Sequence, residues 1–121
     1  MIGEIDSLYD NSLHDNLIYQ AGNYYSDKII AENNARADTL LRKLRRFAVE
    51  HRERALDWND TDTDKYSIGY SQDDRRLNVY SIRWVRGFGE ISFDKKETAE
   101  IAIEKFKDEL IWYFTEYKDS L

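Results

Sequence analysis

Residues Asp94 to Tyr117 constrain the fold of this chain more than any other stretch, because they carry its most regular apolar spacing. On a helical wheel centred on Ile103, Ala99, Phe106, Leu110, Phe114 and Tyr117 all fall within about 60° of one line. That is a core-facing stripe. Ile101 and Trp112 lie on the opposite side, so the helix is expected to have apolar cover on both faces: either the N-terminal helices bury that second face, or it is an exposed contact surface. Asp94, with Glu97 three residues on, reads as a capping box that opens this helix.

The chain before it divides in two. Ile2, Ile5, Leu8, Tyr9, Leu13, Leu17 and Ile18 recur every three or four residues, which predicts a short helix over 2–20 that stops near Gly22. Tyr24 and Tyr25 then fall in a loop or first turn, with Asn23, Ser26 or Asp27 as possible caps. A long helix is predicted from Asp27 to about Leu56. Ile30, Asn34, Ala37, Leu41, Leu44, Ala48, His51 and Ala55 alternate in steps of four and three, the spacing of a coiled-coil seam, with Leu40 and Phe47 widening it. At 1.5 Å per residue that helix is about 45 Å long, so it must bend, pair with the N-terminal helix or project into a partner subunit. A homodimer through Ile30, Ala37, Leu41, Leu44 and Ala48 is the expectation that seam carries.

Asp57-Trp58-Asn59-Asp60-Thr61-Asp62-Thr63-Asp64 is an abrupt change to turn chemistry, dividing a helical region, 1–56, from a mixed module, 57–121, within one folding unit. Tyr66, Ile68 and Tyr70 alternate with Lys65, Ser67 and Gly69 as a strand with one buried face. Ser71–Arg76 makes a turn. Leu77–Val85 reads as a second strand, apolar in part on both faces, Arg86–Gly89 as a turn and Glu90–Phe93 as a short third strand. Links this short predict an antiparallel meander. The expected fold is α+β: two N-terminal helices, one of them long, a three-stranded antiparallel sheet, and a long C-terminal helix packed on the sheet.

The sequence has no cysteine, which excludes disulfides and thiolate metal sites, and no proline, which favours uninterrupted helices. No basic, apolar leader and no long apolar run stands in it, so a soluble cytoplasmic protein is expected. The net charge of -6 is unevenly spread. Residues 1–27 hold Glu4, Asp6, Asp10, Asp15 and Asp27 with no Lys or Arg, whereas Arg36–Arg54 holds seven basic residues against three acidic ones. An acidic balance disfavours a phosphate backbone and favours a basic protein partner.

Candidate chemistry is sparse. The aspartates of 60–64 alternate like calcium ligands, but a loop counted from Asp60 needs Gly sixth and Glu twelfth, where Lys65 and Ser71 stand. Arg42-Lys43-Leu44-Arg45-Arg46 is a nucleic-acid cue, yet its cations encircle the polar perimeter of the helix instead of forming a stripe. His14 and His51 lack companions for metal or nucleophile chemistry, and Gly87-Phe88-Gly89 is too short for a phosphate loop. The adjacent acids Asp73-Asp74 and Asp108-Glu109 are tied to no pocket. No enzyme, metal or cofactor is expected.

Lys65-Tyr66-Ser67-Ile68-Gly69-Tyr70, Phe88-Gly89-Glu90-Ile91-Ser92-Phe93 and Ala102-Ile103-Glu104 leading to Asp108-Glu109-Leu110 resemble small proteins of Gram-positive phages and mobile elements. The resemblance covers Arg45–Lys118, about 60% of the chain, and its motifs are structural. It implies a helical N-terminal half joined to a βββα ending, in a group that includes anti-CRISPR inhibitors. Some of those present carboxylates where the phosphates of a nucleic acid would lie in an RNA-guided nuclease. On that basis the expected function is non-catalytic inhibition of a type II RNA-guided nuclease. Asp60, Asp62, Asp64, Asp73 and Asp74 would be the phosphate mimics, with Trp58, Tyr70 and Trp112 as aromatic anchors. The alternatives are a structural or regulatory phage protein dimerising through its long helix, and a nucleic-acid-binding protein using the basic helix 42–54.

Overall fold

A computed structural model of the chain describes residues 17–117, with side chains from Ser26 onward. Its elements are α1 (Leu17–Glu50), β1 (Lys65–Ser71), β2 (Arg76–Ile82), α2 (Lys96–Lys105) and α3 (Lys107–Thr115). By contacts the chain forms two compact units, with the division inside α1: Arg36–Tyr117 is one, and residues 1–35 with 118–121 are the other.

Most of the predicted helix 2–20, and His14 with it, lies outside the described residues. Where the two can be compared, the prediction of a stop at Gly22 is wrong, because α1 runs unbroken from Leu17 through Gly22, Tyr24 and Tyr25. A single glycine costs a helix only about 1 kcal/mol, and no proline reinforces it. At its other end α1 stops at Glu50, short of the predicted Leu56. His51 closes it: the Phe47 carbonyl accepts a hydrogen bond from His51 Nδ1 at 3.0 Å, and the imidazole stacks on the Phe47 ring at 3.9 Å. The histidine thus ends a helix, as a cation or donor near the last carbonyls does elsewhere.

Within Arg36–Tyr117 the core is made by Leu40, Leu44, Phe47 and Ala48 of α1, Phe93 of the segment before α2, Ala99 and Ala102 of α2, and Leu110 of α3. Tyr66, Ile68, Leu77 and Val79 of the hairpin pack against it. Ala37, Leu44 and Ala48, offered by the sequence as a dimer seam, are buried in this core, and Leu41 is half-buried at its edge. From Ala37 to Ala48 the 3–4 spacing of α1 is therefore answered by the chain's own hairpin and C-terminal helices, while Ile30 lies in the other unit.

The sheet has two strands, not three, which corrects the predicted fold. β1 and β2 pair antiparallel from Lys65–Ile82 to Ser71–Arg76, and β2 ends at Ile82, three residues before its predicted end. The segment read as a third strand makes one isolated bridge, Tyr66 to Phe93, through N–H to carbonyl bonds of 2.9 and 2.7 Å. It lies against β1 and not against β2, so the meander is also wrong. Two side-chain bonds limit the ladder to that single rung. Before it, the Ile91 carbonyl accepts the Ser67 hydroxyl at 2.8 Å. After it, Asp94 turns away to accept the N–H groups of Glu53 and Arg54 at 2.9 and 3.3 Å.

Asp94 consequently does not cap the last helix: Lys95 holds that position, with no side-chain cap bond. Nor is that helix continuous. It breaks at Phe106, whose φ of -111° and ψ of 23° leave the helical region, and resumes as α3. Neither glycine nor proline marks the break. The Phe106 ring stands edge-on against Phe47 at 5.9 Å, so packing holds the break open.

Candidate functional site

Two loops that come together at the Lys65 end of the hairpin form the candidate site. The first is the aspartate turn. Asp57 Oδ1 accepts the Asn59 N–H at 2.9 Å, Asp60 Oδ1 accepts the Asp62 N–H at 2.9 Å, and Asp60 Oδ2 accepts the Thr63 hydroxyl at 2.7 Å. Asp57 and Asp60 thus bond to their own backbone two residues on, as aspartates in turns do. The Thr63 bond, followed by the Asp62 N–H, holds the Asp60 carboxyl below its ordinary value of 3.8. Lys65, assigned by alternation to the open face of β1, is instead buried: its ammonium donates to the Asp60 carbonyl and lies 5.0 Å from the centre of the Trp58 ring.

The second loop is 83–89. Its first residue, Arg83, is paired with Asp64, and that bond raises the arginine's pKa. Arg86 stacks on the other loop, its guanidinium 5.1 Å from the Trp58 ring centre. Glu90 closes the far end. Its Oε1 accepts the Gly87 N–H at 3.0 Å, and its Oε2 accepts the Tyr80 hydroxyl. Gly89 has a φ of 73°, a conformation glycine adopts without penalty. With the Arg83 side chain held at one end and the Gly87 N–H at the other, the loop turns its apolar side chains outward: Trp84 is 77% exposed, Val85 73% and Phe88 fully exposed. Three large apolar groups on one short loop exceed the scattered single exposures usual on a monomer's surface.

The predicted site residues divide on this geometry. Asp60 and Asp64 are engaged within the chain, and Asp62 alone of the turn's three candidates lies open, close enough to Arg83 to raise its pKa. Asp73 and Asp74 are exposed in the β1–β2 turn. That is the opposite end of the hairpin, about 20 Å away at 3.3 Å per residue. The five carboxylates therefore do not share one surface. The three aromatic candidates each have contacts within the chain. Trp58 lies between Lys65 and Arg86, and Tyr70 stacks on Phe114 at 5.8 Å. Trp112 is 8% exposed, under the Arg36 guanidinium at 4.0 Å and beside Tyr117 at 5.5 Å. Of the two-sided pattern only Ile101 is left open.

Sequence reading missed Trp84, Val85 and Phe88 because it placed the first two in a strand and the third in a tight turn. The sequence holds one cue in their favour: the apolar alternation that gives Leu77 and Val79 core partners has none to offer beyond Ile82.

Charge is also distributed differently from the whole-chain sum. Arg36–Tyr117 carries sixteen basic and seventeen acidic residues, so this unit is near neutrality and the excess of acid belongs to residues 1–35. Among the described residues no group of three His, Cys, Asp or Glu could hold a metal ion, and no helix is long and apolar enough to cross a membrane. The chain matches no protein-family model, no curated protein and no solved structure.

Proposed function

We propose that this protein is a non-catalytic, protein-binding inhibitor of phage or mobile-element origin that docks through the face formed by loops 57–64 and 83–89. The observation that carries the reading is the exposure of Trp84, Val85 and Phe88 on a loop fastened through Arg83 to Asp64, through Arg86 to Trp58 and through the Gly87 N–H to Glu90. Aromatic side chains on a rigid support make good anchors, since little conformational freedom is lost on binding and much apolar area is covered. Asp62 at the rim supplies a carboxylate that a basic partner would attract.

The most concrete partner is the one the phage resemblance implies, a type II RNA-guided nuclease. Asp62 would then occupy a phosphate position, with Asp73 and Asp74 available for a second contact. Asp60 and Asp64 serve the turn itself and are left out of that role.

The test is cleavage of a target duplex by a guide-loaded type II nuclease with the full chain added. Wild type is expected to slow cleavage, and Trp84→Ser with Val85→Asp to abolish the effect. Asp62→Asn should weaken inhibition more at low salt than at high salt. Unchanged inhibition by the Trp84 and Val85 variant would remove loop 83–89 from the contact, and no inhibition by wild type would end the nuclease reading.

A further inference from the structure

A shallow hollow between loop 83–89 and α1 has a different chemistry from the side chains of Trp84 and Val85. Arg45 of α1 joins Arg86, Gly87, Phe88, Gly89 and Glu90 to line it. Its one carboxylate is engaged, because both Glu90 oxygens accept hydrogen bonds from the loop and from Tyr80. Among the described residues its two cations are not paired with acids. Arg86 rests on Trp58, and Arg45 is exposed with no hydrogen bond or ion pair among the described residues. Arg42 and Arg46 stand elsewhere on the polar perimeter of α1, each held by a local bond, to Thr39 and Glu50. The hollow is thus cationic, with a fully exposed aromatic ring at its edge.

We infer that this hollow binds single-stranded nucleic acid, with Arg45 and Arg86 on successive phosphates and Phe88 stacked on a base. A charged groove that follows the backbone beside an aromatic platform is the arrangement that single strands recognise, and it needs no base-specific donor. A duplex suits it poorly, since a lone exposed ring has no unpaired base to meet there. Arg36–Tyr117 carries sixteen basic and seventeen acidic residues, so this unit adds little repulsion of its own. The site overlaps the docking face at Phe88, and Arg45 and Trp84 tell the two apart, because Arg45 would act on a strand and Trp84 on a protein surface.

Fluorescence anisotropy of a labelled oligothymidylate of about twelve nucleotides, titrated with the full chain at about 50 mM salt, tests it. Wild type should bind. Arg45→Glu should weaken binding at least tenfold and flatten the log–log salt slope by about 0.7, the value for one phosphate contact to a single strand. Phe88→Ala should weaken binding roughly fivefold to tenfold and leave the salt slope unchanged. Both positions are exposed, so circular dichroism should give wild-type melting for each. Trp84→Ser should bind the oligonucleotide as wild type does, which separates this site from the protein-docking face. No binding by wild type overturns the inference, as does wild-type affinity in Arg45→Glu. An unchanged Phe88→Ala reduces the hollow to a general anion site and also overturns it. So does equal competition by duplex DNA or by polyglutamate.

Discussion

Residues 92–94 and residues 83–89 are both irregular segments beside the same hairpin, yet they face in opposite chemical directions. The first turns polar groups inward. Asp94, 1% exposed, receives two backbone N–H groups from Glu53 and Arg54, its carbonyl receives the Arg54 guanidinium at 3.1 Å, and the Ser92 carbonyl receives Arg52. The second turns aromatic groups outward while its backbone is fastened from beneath. A buried carboxylate on backbone donors joins the end of α1 to the start of α2, whereas an exposed tryptophan does nothing for a monomer's stability. The contrast separates residues that hold the fold from residues available for a partner.

The largest expected effect tests the inward segment. Asp94→Ala leaves the Glu53 and Arg54 N–H groups without their acceptor in a nearly solvent-free place, and should cost about 2–3 kcal/mol, the range for hydrogen bonds to a charged group. Asp94→Asn keeps an oxygen acceptor and should cost about half as much. Urea denaturation followed by circular dichroism measures both. Equal, negligible losses would show that Asp94 does not join these segments.

That joint also marks where sequence reading reached its limit. The core stripe of α1 was legible, since Leu40, Leu44, Phe47 and Ala48 repeat at helical spacing, and so was the β1–β2 hairpin with its Ser71–Arg76 turn. Asp94 was legible as a polar residue before a helix, a pattern that fits a cap. Its actual partners lie about forty residues earlier, and no local pattern encodes a contact at that separation. The break at Phe106 was hidden for the same reason, because its cause is a ring on α1. Of the candidate site, the sequence showed the aspartate turn. It did not show that Asp60 and Asp64 would be engaged within the chain, or that the exposed apolar side chains would lie at 84–88.

A smaller effect, of opposite sign, is expected in the hairpin turn. Arg75 has a φ of 55°, the left-handed region that costs a residue with a side chain about 1 kcal/mol. Its N–H still bonds the Ser71 carbonyl at 2.7 Å. Arg75→Gly keeps that bond and removes the steric cost, so it should stabilise by about 0.5 kcal/mol after glycine's greater freedom in the unfolded chain is counted. A melting temperature raised by a few degrees would support this, and a lowered one would mean the arginine side chain has a stabilising contact of its own.

Acid should separate the regions further. The Thr63 hydroxyl lowers the Asp60 carboxyl below 3.8, and Arg36 lowers the Glu109 carboxyl below 4.5. Because both folded pKa values are depressed, their contributions are complete above those ordinary values and fade as pH falls through the folded ones. Both groups keep partial contact with solvent, which screens them, so the loss should be shallow: a gentle decline in melting temperature below about pH 4.5, reduced in Glu109→Gln. A variant that keeps the full acid sensitivity of wild type would assign the decline to other carboxylates.

The smallest expected effect on stability belongs to the outward loop, and it bears most directly on function. Trp84→Ser and Phe88→Ser remove rings that the folded chain leaves in water, so unfolding free energies should stay within about 0.5 kcal/mol of wild type. Arg86 stands between these rings in the sequence but stacks on Trp58, so Arg86→Ala should instead lose about 0.5–1 kcal/mol, the value of an exposed cation–π contact. Denaturation of the three variants side by side therefore tests whether loop 83–89 has a structural layer beneath a functional one. If the tryptophan and phenylalanine variants lost as much stability as the arginine variant, the rings would be packing groups and the outward loop would not differ in kind from the inward joint. If all three matched wild type, the Arg86–Trp58 contact would hold nothing, and the rigidity that makes Trp84 and Phe88 good anchors would rest on Asp64 and Glu90 alone.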